Sequence, residues 1–285
     1  MRILVTNDDG IDSPALHSLV VALARWAAAP GEVEREVIVV APDSNYSGAA
    51  AAVGEVFGRD GIAYSRRLVP GAPDVEAYAL DAAPALCTIV GSLGGFGPKP
   101  DLIVSGINLG VNVGRSVLHS GTVGAILTGA QLGISGLAVS IQATKDAPYD
   151  TAADVAVAVL DELIAAPART LFNLNVPALP LAELKGIRRG RVSTAGIIKR
   201  AVGEGEGNRT LLVGESGMLE LNLGSAVPEL GDVSDEEPDD DGALVGAGYA
   251  ALTALRGVHE DSDPGSDDLV RAAIGAIEQH LGHRS

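Results

Sequence analysis

The chain has 285 residues, 47% of them hydrophobic and only 3% aromatic. That is enough for one large core built mainly from Ala, Val, Leu and Ile. Thirty-seven acidic residues against 20 basic ones give a formal charge of −17. Such a surface repels nucleic-acid polymers and anionic membranes, so neither is an expected partner. A lone cysteine, Cys87, excludes an intrachain disulfide framework. The chain also shows neither a signal-peptide pattern nor an uninterrupted apolar run of ~20 residues, and the expectation is a soluble cytoplasmic protein.

The first element is an apolar strand, Arg2-Ile3-Leu4-Val5-Thr6, that runs straight into Asn7-Asp8-Asp9-Gly10. In open α/β sheets ligands bind beyond the carboxyl ends of the strands. Two carboxylates about 4 Å apart repel unless a cation or a proton lies between them. Gly10 permits the backbone excursion that would bring both round to one ion. The alternative is that Asp8 caps the next helix and Asp9 is solvated, but Ser13 and Pro14 already suit the cap and first helical position. The metal reading is therefore preferred.

From Ser13 to about residue 29, Leu16, Leu19, Val20, Leu23 and Trp26 recur at helical spacing. Val37–Val40 is a β-branched run that suits a strand covered on both faces, and it ends in the polar loop 41–48. Residues 51–80, punctuated by glycine, suggest a hairpin excursion. Pro84 opens a helix to about residue 93, with Cys87 read as a buried structural thiol. Asp101–Val104 is a strand followed by a loop to Gly114, and a helix rich in Ala and Leu runs to about residue 132. Strands at 136–141 and 170–176 flank an amphipathic helix over 151–166. This rhythm predicts an α/β fold, a Rossmann-like, mostly parallel sheet with helices on both faces.

Beyond residue 180 the rhythm changes. The glycine-rich stretch 186–224 suggests extended hairpins that dock on a neighbouring subunit. Eight acidic side chains fall within residues 229–241, read as a solvated loop with an accessory cation site as the alternative. A terminal helix over 267–281 is capped by Ser266. The expected division is a catalytic core, 1–180, and an extension, 181–285, that completes the fold and the subunit interface.

Three loops follow three predicted strands and offer oxygen ligands: Asp8 and Asp9; Asp43, Ser44, Asn45 and Ser47; Ser105, Asn108 and Asn112. Carboxylate, hydroxyl and amide oxygens suit Mg²⁺, Mn²⁺ or Ca²⁺, and no Cys or His falls at zinc spacing. The segment His119-Ser120-Gly121-Thr122 opens a helix and offers backbone N–H groups and two hydroxyls to an anion. Ser120 or Thr122 also suits an N-cap. His119 is the one histidine in a candidate site and a possible general acid, with a structural loop role as the alternative; His17 sits on a helix, and His259, His280 and His283 lie in the tail.

Several blocks together resemble the SurE family of survival proteins: Ile3 to Ile11; Val40-Ala41-Pro42-Asp43 with Asn45 and Ser47-Gly48; Asp101 to Asn108 with Gly110 and Asn112; Leu118 to Val123; Asn173-Leu174-Asn175-Val176-Pro177; and, more loosely, Gly248-Tyr249 ahead of Thr253. The resemblance implies a metal-dependent phosphomonoesterase acting on nucleoside 5′- and 3′-monophosphates. One Mg²⁺ or Mn²⁺ per subunit would be held by Asp8, Asp9, Ser47 and Asn108. It also implies a homodimer or homotetramer with exchanged C-terminal elements. Ser120, Gly121, Thr122 and Asn112 are then expected to hold the phosphate. Asp8, Asp9, Asn108, Ser120 and Thr122 are the expected catalytic set, with His119 as the candidate proton donor. The chain departs from the family pattern at Ala49–Ala52, where Ser and Thr are usual, and at Leu86, where Asp is usual. Three rivals stay open: an aspartyl-phosphate phosphatase, a phosphatase of this family retuned to another phosphate ester or to polyphosphate, and a silent metal-binding homologue.

Overall fold

The computed structural model describes residues 1–31, 33–56, 60–194, 198–203, 219–223 and 239–258, with Val227, Asp263, Asp268, Val270, Arg271 and Ile274 as isolated positions. Strand β1 (Arg2–Thr6) lies near the middle of a nine-stranded sheet. On one side follow β2 (Glu36–Pro42), β4 (Ala72–Leu80) and β3 (Tyr64–Val69). On the other follow β5 (Leu102–Leu109), β6 (Ser135–Ile141), β7 (Leu171–Val176), β11 (Ala250–Leu255) and β8 (Ile187–Arg189). From β4 to β7 every neighbouring pair is parallel, and only β3 and β11 run against their neighbours β4 and β7.

Ile3, Leu4 and Val5 are all buried because helices cover both faces. Ile3 and Val5 pack with α1 (Pro14–Ala28), α4 (Tyr149–Ala158) and α5 (Leu160–Ala165). Leu4 points the other way, toward α2 (Pro84–Ser92) and α3 (Gly121–Gln131). Leu16, Leu19 and Leu23 of α1 are fully buried, each worth about 1.5–3 kcal/mol of transfer free energy. Cys87 is buried as expected, and burial pushes its thiol far up, out of the reactive range.

Several expectations need correction. Ser13 occupies the N-cap position of α1, but its hydroxyl makes no capping bond; Pro14 alone marks the start. The predicted helix over 151–166 is two helices that meet at Val159, whose φ and ψ of −96° and −3° end α4. The hairpin expected within 51–80 is present as the antiparallel pair β3 and β4, but it is no separate excursion, because β4 joins the main sheet parallel to β2. Strands β8 and β11 belong to that sheet too, although they come from beyond residue 180. Within 186–224, β9 (Ile198–Gly203) and β10 (Leu219–Leu223) form a separate antiparallel ribbon. The predicted terminal helix and the acidic run up to residue 238 lie largely outside the described residues, as do His259, His280 and His283. No helix among the described residues is long and apolar enough to cross a membrane.

Candidate metal centre

The strand order reverses between β1 and β5, so the ends of these two strands open a crevice. Asn7 closes the turn after β1 by donating its side-chain N–H to the Gly10 carbonyl at 2.8 Å. Gly10 sits at φ +98°, a conformation open to glycine at little cost. The loop after β2 is fastened to this turn: Ile11 N donates to Pro42 O at 2.8 Å and Tyr46 N to Asp8 O at 2.7 Å. Asn45 Nδ2 reaches Asp9 Oδ1 at 3.4 Å, while its Oδ1 accepts the Ser47 N–H at 2.8 Å. Ser47 itself is exposed beside this junction.

From the other flank, Leu109 N donates to Asp9 Oδ2 at 3.4 Å. Strand β5 is longer than the predicted 101–104 because it resumes after an irregularity between Ser105 and Asn108, placing Asn108 at its end. The Asn108 side-chain N–H is committed to the Gly110 carbonyl, which leaves its Oδ1 for a cation. Asp8, Asp9, Asn108 and the loop bearing Ser47 thus meet at one edge of the sheet.

Asp8 is only 3% exposed. Thr122 Oγ1 donates to its Oδ1 at 2.7 Å. Burial pushes the Asp8 carboxyl up, and the Thr122 hydroxyl with the N–H groups of Gly121 and Thr122 partly opposes that rise. Burial also raises Asp9, the Asp8 charge raises it further, and the Leu109 N–H works against both. Neither carboxylate pairs with a cationic side chain among the described residues. Among those residues no three His, Cys, Asp or Glu gather around one point; beside the two carboxylates stand the neutral oxygens of Asn108 and of the loop bearing Ser47. Two raised, unpaired carboxylates beside neutral oxygen donors fit a hard divalent cation.

The expected phosphate cradle is put to other uses. Ser120 caps α3, its Oγ accepting the Val123 N–H at 3.1 Å, so the cap reading holds and only its hydroxyl proton stays available. Thr122 spends its hydroxyl on Asp8. A Cβ added at Gly121 would lie 2.8 Å from Asp8 Cβ, so the first turn of α3 serves the carboxylate. Asn112 is buried: its Nδ2 donates to Ser140 Oγ at 2.9 Å, its N–H donates to Asn175 Oδ1 at 2.7 Å, and its carbonyl accepts from Asn173 and Asn175. Asn112 is therefore a brace of the loop. His119 is exposed, and its carbonyl accepts the Ala50 N–H at 3.2 Å.

Three members of this network escaped the sequence reading of the site: Ser140, Asn173 and Asn175, all fully buried. Two asparagines at alternate positions of an otherwise apolar strand were the available signal. A cavity of about 630 Å³ opens beside Ser120, walled by Ala50, Ala51, Val117, Leu118, Leu127 and Arg115 among others.

Fold and crevice together define a doubly wound α/β protein with clustered oxygen-bearing side chains at its topological switch point. Comparison with known proteins gives the family. The model described as survival protein SurE matches residues 3–198. A protein of Erwinia tasmaniensis named 5′/3′-nucleotidase SurE is 36% identical over 90% of this chain and 90% of its own length. One of the same name from Salmonella arizonae is 35% identical over 96% of this chain and 99% of its own. The crystal structure of a SurE protein from Aquifex aeolicus superposes with a TM-score of 0.69 at 26% identity, covering 98% of this chain and 100% of that one. The chain belongs to the SurE family.

Proposed function

We propose that the protein is a divalent-metal-dependent phosphomonoesterase that hydrolyses nucleoside 5′- and 3′-monophosphates to nucleoside and phosphate. The observation that carries this reading is the placement of the adjacent carboxylates Asp8 and Asp9 beside Asn108 and the Ser47 loop at the switch point, with no cationic side-chain partner among the described residues. The relatives named 5′/3′-nucleotidase supply the substrate class. Asp8, Asp9, Asn108 and Ser47 hold one Mg²⁺ or Mn²⁺ ion. When bound, such an ion polarises a phosphoryl oxygen and lowers the pKa of a water nucleophile. Asp8 is held ready for it by Thr122, and Asp9 by Leu109 N–H. Ser120 directs its remaining hydroxyl proton at the phosphate, and exposed His119 is the candidate proton donor to the leaving group. The subunits work in the cytoplasm as a homodimer or homotetramer assembled through the segment beyond residue 180.

A second reading rests on the cavity wall. Ala50 and Ala51 stand in the loop that carries Ser47, and the surrounding surface is mostly apolar. That favours a phosphate ester with a less polar leaving group than a nucleoside. A matrix of Mg²⁺, Mn²⁺ and Ca²⁺ against nucleoside monophosphates, sugar phosphates, an aryl phosphate and polyphosphate separates the two. Turnover of nucleoside monophosphates that EDTA abolishes is the expected result. Full activity in EDTA ends the account; preference for the aryl ester favours the second reading.

A further inference from the structure

Residues 110–113 are the short bridge between Asn108, a candidate ligand, and the 3₁₀ turn Gly114–His119, which leads directly into Ser120-Gly121-Thr122. Whatever fixes this bridge fixes both flanks of the centre. One anchor is Asn112, tied to Ser140, Asn173 and Asn175. The other comes from the opposite end of the chain. Asp241 closes the acidic run read from the sequence as a solvated loop, yet its side chain is fully buried. Its two oxygens accept the Gly114 N–H at 3.1 and 3.0 Å, the Ser193 N–H at 3.2 Å and the Gly242 N–H at 2.9 Å.

A buried carboxylate is retained only where donors converge on it. Here the donors belong to three separate segments: the start of the 3₁₀ turn, the end of the stretch after β8, and the head of α6 (Asp241–Gly246). A Cβ added at Gly190 would lie 3.2 Å from the Cβ of Asp241, so the carboxylate is also walled in sterically. The six-residue turn runs from this anchor to the head of α3, where Gly121 and Thr122 approach Asp8.

We propose that Asp241 is a positioning residue of the centre, setting the Gly114–His119 turn and through it the seat of Asp8. The proposal rests on the phosphatase reading for its activity arm, and lies outside the segment matched by the family model. Asp241→Asn keeps the volume but turns an N–H toward converging N–H donors. Asp241→Glu keeps the charge but reaches too far. Asp240→Ala is the control, since Asp240 caps α6 through the Ala243 N–H at 2.7 Å and does not touch Gly114.

Each variant is titrated with Mn²⁺ by paramagnetic resonance of the free ion, assayed for kcat and KM on a nucleoside monophosphate, and melted. For Asp241→Asn the expected result is a fall in kcat of about tenfold, a KM within about threefold and a Mn²⁺ Kd raised about threefold or more. Asp241→Glu should recover part of both, while Asp240→Ala should lower Tm and leave kcat and Kd unchanged. Equal kcat losses in Asp241→Asn and Asp240→Ala, or an Asp241→Asn variant with unchanged kcat and Kd, overturn the proposal. Should Asp241→Asn not fold, Asp241→Glu decides: unchanged kcat and Kd overturn it. A wild-type chain that turns over no monoester defeats the phosphatase reading, yet the Mn²⁺ titration still decides this one; a wild type that binds no Mn²⁺ defeats both.

Discussion

Gly121 shows how little room separates the helix from the Asp8 carboxylate it faces. A methyl group there would lie 2.8 Å from Asp8 Cβ and 3.0 Å from Asp8 Oδ2. Asp8 cannot simply swing away, because its other oxygen is held by Thr122 in a buried bond. Alanine is better than glycine in a helix by about 1 kcal/mol, so Gly121→Ala gains propensity as it displaces the carboxylate. Stability and ion binding should therefore part company. The expected outcome is a Tm within a few degrees of wild type, a Mn²⁺ affinity lowered about tenfold by calorimetric titration, and a matching loss of kcat/KM. Unchanged Mn²⁺ affinity would show that Asp8 does not need its present seat. Thr122 teaches a related point: as a residue type it suited a phosphate cradle, and only the three-dimensional approach of β1 turned its hydroxyl toward Asp8.

At the level of elements, β5 leaves no room for a side chain toward β6 where Gly106 passes Val139. A Cβ at Gly106 would stand 2.3 Å from the Val139 carbonyl oxygen, which is backbone and cannot yield, and φ there is +137°. Gly106→Ala should force the strands apart just before Asn108. The expected cost is about 3 kcal/mol or more in urea unfolding, together with weaker ion binding; a loss under about 1 kcal/mol would mean the strands are free to separate there. The sequence made the central strands legible because Ile3–Val5 and Val37–Val40 are apolar without alternation, the mark of cover on both faces. It also singled out the Asp8-Asp9 loop as the candidate cation site on which the proposed function rests, since adjacent carboxylates at a strand end have few other uses. The extent of β5 was not legible, because Ser105-Gly106-Ile107-Asn108 reads as a turn until β6 is beside it. Nor was Asp241, whose neighbours Asp239 and Asp240 look the same in the chain; burial against Gly114 is a property of the fold, not of the local pattern. The break at Val159 likewise follows from packing, as nothing in the apolar spacing interrupts the helical period.

Across the whole molecule, the charge of −17 acts on any anionic substrate before contact. Asp8 and Asp9 have no cationic side-chain partner among the described residues, so within the proposed function the bound ion is their local positive source. Its attraction and the net repulsion are screened over the same Debye length, about 30 Å at 0.01 M and about 8 Å at 0.15 M. The ion acts at contact, within that length at either salt, whereas the surplus acidic charges act from farther away. Raising KCl over that range at constant free Mn²⁺ should screen the repulsion more than the contact. The expected outcome is a rise of about two- to tenfold in kcat/KM for a nucleoside monophosphate, with kcat nearly constant because the bound complex is already formed. Salt-induced loss of kcat/KM would instead mean that the acidic surplus faces away from the crevice and that the ion steers substrate in. Competition by chloride at the ion is separated from screening by repeating the series with a salt of a bulkier anion at the same ionic strength. Agreement between the two salts assigns the effect to the field of the whole protein, and with it a cost that the acidic surface imposes on an enzyme of anions.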